Sequence, residues 1–303
     1  MNRSRTVTSR SLLFSALLLP LAGVAQAALF ANSTAAYAEP HTDSLTTVSG
    51  PAGSVSAVST VSPLGIAGAQ GYGEAAYGAL HSSALAVVGG DGRARAGGSA
   101  ASTDNVTLSS SFIGRAAIAH ASFTISGGLS SRVGPTSTAA FANSTLGATV
   151  TAGGISVFRL GAQLLTRQTG IDIDTVTWSG SAVAFPTAGI AGSYAFDIPF
   201  TIGTPFVLFI SLNSEAQAFG VSGVDDAGAF SNFGSTGYWG GISGVQLADG
   251  TVVSDFSVRS DSGFDWIHAA AVPEPGTYAL MLVGLAVMGH AARRRRRRRA
   301  AAP

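Results

Sequence analysis

Side chains between residues 28 and 272 alternate with a period of two, and this constrains the fold more than any other feature. Runs such as FTISGG, GISVFRL, IDIDTVTW, YAFDIPFTI and TPFVLFISL are short and rich in Val, Ile, Phe, Thr and Tyr. Such runs lay one set of side chains on each face of a β-strand. Gly, Ser, Pro and Asn separate them, the residues that turns require. The stretch GVQLADGTVVSDFSV predicts two strands joined at Asp249-Gly250, a hairpin signal. With no helical period between the strands, the predicted fold is all-β, an antiparallel β-sandwich or jelly-roll-like domain.

The strands are unequal. Residues 41–70 are small and polar and predict an edge strand with long loops, or a partly ordered arm. Residues 73–110 carry Ala and Gly where a core ordinarily takes Leu or Phe. Aromatic weight lies after residue 190, so the best-packed sheet is expected over roughly 154–268. Alanine-rich strands bury little apolar area each, and close sheet packing would have to compensate.

Charge narrows the functional classes. Residues 28–272 hold seven Arg against fifteen Asp or Glu, a net charge of −8. The other ten arginines sit at the two ends. An acidic body with scattered arginines lacks the electrostatic footprint of a nucleic-acid binder. The chain has no cysteine, which excludes disulfides, thiolate metal sites and cysteine nucleophiles. Without a lysine there is no Walker-type phosphate loop, and GGDGRARAGG at 89–98 is expected to form turns.

Candidate site residues are few. His81 and His120 fall in predicted strands, but no His-x-His or His-Glu-x-x-His spacing supports zinc. His120 alternates with Ile118 and Ser122, as a satisfied or solvent-facing histidine would. Asp172 and Asp174 would share a strand face, where paired carboxylates can hold calcium, act as acid and base, or simply face solvent. Asp225-Asp226 is a loop candidate for calcium without EF-hand spacing. Trp178, Tyr238, Trp239 and Trp266 would stack on sugar rings if exposed; the simpler expectation for Tyr238-Trp239 is a strand end packed on the core. No cofactor is called for, and no catalytic constellation is legible.

The two ends differ from the body. Arg3, Arg5 and Arg10 precede an apolar stretch over 11–25, and Ala25-Gln26-Ala27 has the small-x-small form of a cleavage site. Residues 1–27 therefore predict a helical signal peptide cut after Ala27, with 28–272 as the exported domain. At the other end, Pro273-Glu274-Pro275 precedes an apolar run over 276–292. Seventeen residues span about 25 Å as a helix, just short of a ~30 Å hydrocarbon core. Then come Arg293, Arg294, Arg295, Arg296, Arg297, Arg298 and Arg299. Such a cluster resists translocation and would stay cytoplasmic, so a single transmembrane helix would leave the body outside the inner membrane.

Residues 272–299 closely resemble the PEP-CTERM sorting signal, whose three parts are all present in order. VRSDSGFDWIHA at 258–269 is similar to the last strand that precedes the tail in such proteins. The resemblance implies that a membrane-embedded exosortase recognises the chain and cuts near Pro273, Glu274 and Pro275. It implies transient inner-membrane anchoring, then delivery to the cell surface or an extracellular polysaccharide matrix. For the delivered domain the leading expectation is a non-enzymatic surface protein; the alternatives are a carbohydrate-binding module and a hydrolase using the Asp172/Asp174 region.

Overall fold

The computed structural model describes residues 27–38, 41–50, 54–61, 67–134, 140–167, 170–180, 190–220 and 226–270. In chain order the strands are β1 (Ala28–Ala38), β2 (His41–Gly50), β3 (Ser54–Val61), β4 (Ala67–Ala76), β5 (Ala79–Gly89) and β6 (Gly92–Ser109). There follow β7 (Ala116–Ile125), β8 (Gly128–Val133), β9 (Phe141–Ala152), β10 (Ile155–Arg167) and β11 (Gly170–Gly180). The last are β12 (Gly192–Thr201), β13 (Phe206–Gly220), β14 (Asp226–Leu247), β15 (Val252–Val253) and β16 (Ser257–Ser260). The all-β, antiparallel expectation holds. Among the described residues no helix is long and apolar enough to cross a membrane. The two helices expected at the ends lie outside the described residues.

Among the described residues the strands form two eight-stranded sheets. The first runs β11-β10-β9-β13-β6-β1-β2, and β16 joins β6 where β1 leaves off. The second runs β12-β7-β14-β5-β4-β3, with β8 and β15 also pairing β14. Inward positions follow the pleat: in β5, Leu80, Ser82, Ala84, Ala86 and Val88 face the other sheet. The predicted edge character of residues 41–70 is met by β2 and β3, the outermost strands of their sheets.

The space between the sheets is filled differently at its two ends. At one end thirteen buried residues form a cluster in which only Val88 is not alanine. Beside it the backbones nearly touch. A Cβ built on Gly98 of β6 would lie 1.8 Å from the Tyr72 carbonyl oxygen of β4. One on Gly71 would lie 2.1 Å from the Gly97 oxygen, and one on Gly73 2.1 Å from the Ser99 oxygen. Sheets packed through ordinary side chains stand ~10 Å apart, so glycine is what allows this approach. Buried serines bond across the same gap. Ser82 Oγ donates to the Gly98 carbonyl (2.8 Å), Ser214 Oγ to that of Ser82 (3.2 Å) and Ser231 Oγ to that of Thr145 (2.9 Å). Unpaired, each hydroxyl would oppose burial.

At the other end large side chains hold the sheets apart. Phe158 of β10 stacks against Phe196 of β12 (5.6 Å) and tilts against Tyr194 (5.4 Å). Trp239 meets Phe196 and Trp266 edge-on, at 6.1 and 5.2 Å. The expectation of the best-packed sheet over 154–268 holds for the aromatic core, since Phe158, Tyr194, Phe196, Trp239 and Trp266 all fall there, but not for the sheets, each of which mixes early and late strands. Leu29, Leu80, Leu108, Phe123 and Ile125 are as deeply buried as Phe158 or Trp239. The alanine- and glycine-rich strands β5 and β6 are interior members of their sheets. Small side chains there reflect how closely the sheets approach.

The Asp249-Gly250 hairpin is present. Val245 pairs with Val253 and Gln246 with Val252. Gly250 N–H donates to the Leu247 carbonyl (2.9 Å), and Gly250 takes φ +90°, as a three-residue hairpin loop requires. The Thr251 hydroxyl and amide, then the Arg115 guanidinium at 2.7 Å, hold the Asp249 carboxyl down at about 2. Because the folded value is depressed, its contribution is present above the ordinary carboxylate range and disappears as pH falls through about 2. Following the Asp249 carboxyl carbon by NMR should give a midpoint near about 2, and Arg115→Ala should raise it.

Candidate functional site

The most constrained group of polar side chains sits where the body ends. β16 extends β6 through Ser257↔Ser109 to Ser260↔Val106. Asp261 then bonds Asn105 twice, its N–H to the carbonyl (3.1 Å) and its carboxylate accepting from Nδ2 (2.8 Å). The next bonds reach Asp104, an inward residue of β6 only 1% exposed. Its carboxylate accepts from Ser262 N–H (3.1 Å), from Ser262 Oγ and from Trp266 Nε1 (2.8 Å). Three donors compensate a charge that burial would otherwise expel. Tyr77 lies near enough that burial first, and the Asp104 charge second, push its phenol pKa up.

Residues 261–270 continue as a strap across β14. Asp265 Oδ1 accepts from Ile267 N–H (2.9 Å), and its other oxygen meets His268 Nδ1 (2.6 Å). Trp239 Nε1 donates to the Trp266 carbonyl (2.7 Å), Ile242 N–H to that of Ile267 (3.0 Å) and Ala270 N–H to that of Trp239 (2.8 Å). Glycines permit this contact. Gly241 takes φ +91°, and a Cβ there would lie 2.5 Å from the Ile267 oxygen. At Gly78 (φ +75°) it would lie 2.3 Å from the Phe264 ring.

The sequence candidates scatter. Tyr238, Trp239 and Trp266 are 6, 0 and 1% exposed. They pack in the body and are not displayed for sugar stacking; Tyr238 and Trp239 pack on the core as expected, but from within β14 and not at a strand end. The side chain of Trp178 lies outside the described residues. His120 Nδ1 meets Asp197 across β7 and β12 at 2.7 Å, a satisfied and half-exposed histidine. His81 faces the Tyr238 ring edge-on at 6.0 Å. Asp172 and Asp174 lie on β11, a sheet edge, and a register shift opposite Leu165/Thr166 interrupts the alternation there. Their side chains are outside the described residues, as is Asp225. Asp226 forms an ion pair with Arg132 (3.8 Å). Among the described residues no three His, Asp or Glu converge as a metal site. Leu85, Val87, Phe230 and Arg132 line a depression on the outer face of the second sheet.

Asp104 escaped the sequence reading, although a signal for it existed. Ala100, Ser102, Asp104, Val106 and Leu108 share one parity of β6, and its other members face inward, so a carboxylate at that position must find donors.

The strap's last described residue is Ala270, and the next feature of the chain is a sequence motif. Residues 271–298 match the family model of the PEP-CTERM protein-sorting motif. The chain carries a PEP-CTERM sorting signal. No curated protein and no solved structure matches the chain. The PEP-CTERM motif implies recognition by an exosortase-type enzyme and export to the cell surface by membrane-associated sorting. Pro273, Glu274, Pro275 and Arg293 to Arg299, like Ala25 of the predicted signal-peptide site, lie outside the described residues; Ala27 is the first described and is buried.

Proposed function

We propose that residues 28–272 are a non-enzymatic protein of the cell surface or extracellular polysaccharide matrix, delivered by its two ends. Residues 1–27 act as a cleaved signal peptide. Residues 276–292 span the inner membrane once, Arg293 to Arg299 stay cytoplasmic, and the exosortase cuts near Pro273-Glu274-Pro275. The PEP-CTERM match at 271–298, beginning where the strap ends, carries this reading. The described carboxylates also favour a structural over a chemical role: Asp104, Asp197, Asp249 and Asp265 are each engaged by neighbouring side chains or backbone. Polysaccharide as the final partner is supported by the outward face of the first sheet, where Thr145, Thr149, Thr151 and Asn213 offer hydroxyl and amide groups.

Intact-mass analysis of the protein from its producing cell tests the proposal. The mature species is expected to begin at Ala28 and to lack the arginine run. A mature, surface-located species that keeps Arg293 to Arg299 would overturn it.

A further inference from the structure

The strap and the sorting handle are adjacent in sequence. Ala270 N–H is bonded to Trp239, and Pro273 follows after two intervening residues. An enzyme that cuts a peptide bond near 273–275 must hold an extended segment on both sides of that bond, largely through its main chain. Upstream, that main chain is already engaged: Ile267 C=O and Ala270 N–H pair with β14, and Trp266 lies in the core. A backbone N–H bonded to β14 is not free to bond a cleft. The strap must therefore lift before the handle can be seated, and proteolysis of a folded chain follows the population of such open forms.

We propose that Asp104 is a positioning residue for the sorting reaction: by holding Ser262 and Trp266 it keeps the strap closed and sets how often the handle can be seated. This rests on the reading that the tail is cut near Pro273-Glu274-Pro275. In the cut itself the C–N bond breaks, the departing amine gains a proton and the acyl carbon passes to water or an acceptor nucleophile, with no redox partner. Asp104 takes no part in those steps. Its role is carried by three bonds to the strap, two of them to Ser262.

The test is pulse-chase of the full-length chain in its producing cell, timing loss of the arginine tail. Asp104→Asn, which removes the charge, should speed processing about tenfold, and Ser262→Ala by less. A flexible Gly-Ser insert of about ten residues between Val272 and Pro273 should speed processing on its own. In the chain carrying the insert, Asp104→Asn should add nothing, because the handle no longer depends on the strap. Amide exchange at Ile242 and Ala270 in the folded chain should rise in step with the rate. Equal rates in all variants, or an Asp104→Asn effect that persists beside the insert as general unfolding would, overturns the role of Asp104 while leaving the sorting reading in place. A wild-type chain that keeps its tail overturns the sorting reading and this proposal together.

Discussion

Gly98→Ala is expected to be the most damaging single-methyl change in the described body. The added carbon would sit 1.8 Å from the Tyr72 carbonyl oxygen and 2.7 Å from that of Ser83. Both belong to backbone of the opposite sheet, so no rotamer change relieves the clash. The sheets must separate, which breaks the Ser82 hydroxyl bond to the Gly98 carbonyl and loosens the alanine contacts beside it. Overpacking ordinarily costs about 1–3 kcal/mol, and a clash with unyielding backbone belongs at or above the upper figure. Against a total stability of about 5–15 kcal/mol that is a large fraction. Gly147→Ala is the matched control. It adds the same methyl to β9 with nothing within 4 Å, and should leave stability within about 1 kcal/mol of wild type. Urea unfolding midpoints compare the two. Equal midpoints would mean that the sheets are not in backbone contact.

Trp239→Ala acts at the opposite end. The indole is fully buried, meets Phe196 and Trp266 edge-on and donates to the Trp266 carbonyl. Removing it leaves a cavity and an unpaired carbonyl, a loss of about 3–5 kcal/mol. The urea midpoint should fall, and the near-ultraviolet circular dichroism of the remaining aromatics should weaken as their packing loosens. Trp239→Phe keeps most of the volume but not the donor, and should recover most of the stability. If Trp239→Ala unfolds at the wild-type midpoint, the aromatic cluster does not hold this end together.

The two substitutions also show what was legible in the sequence. Alternation predicted strands because a pleated strand exposes its burial pattern directly, and the Asp249-Gly250 hairpin was readable from its turn residues. Tyr238-Trp239 was readable as core because aromatics among glycines suit insertion into a packed core, although the pair lies within β14 and not at the strand end expected. The importance of β5 and β6 was legible only in part: their alanines called for close sheet packing, which is present, but not for the interior positions that these strands take. Ala and Gly at inward positions suggest a weak core by residue hydrophobicity alone, yet they are what close approach demands. That approach depends on which strands face each other, a non-local fact. Strand order was hidden for the same reason: β6 pairs with β1, β13 and β16, segments far apart in the chain. The sorting handle was readable because its parts are consecutive. The strap that precedes it was only partly so, because its meaning depends on Asp104, more than 150 residues upstream.

The pairing of β6 also sets a timetable for the chain's assembly. β1 is synthesised before β6, while β13 and β16 follow far behind it. Until β16 arrives, the end of β6 beyond Thr103 has no partner on the β1 side, and Asp104 lacks its donors from the strap. Residues 257–270 bring the missing edge and both donor side chains, Ser262 and Trp266, together. The last body segment to emerge is thus the one that closes the protein. A chain stopped short of it keeps an open seam and a carboxylate without those donors, so completion of the fold reports that synthesis has reached the sorting tail.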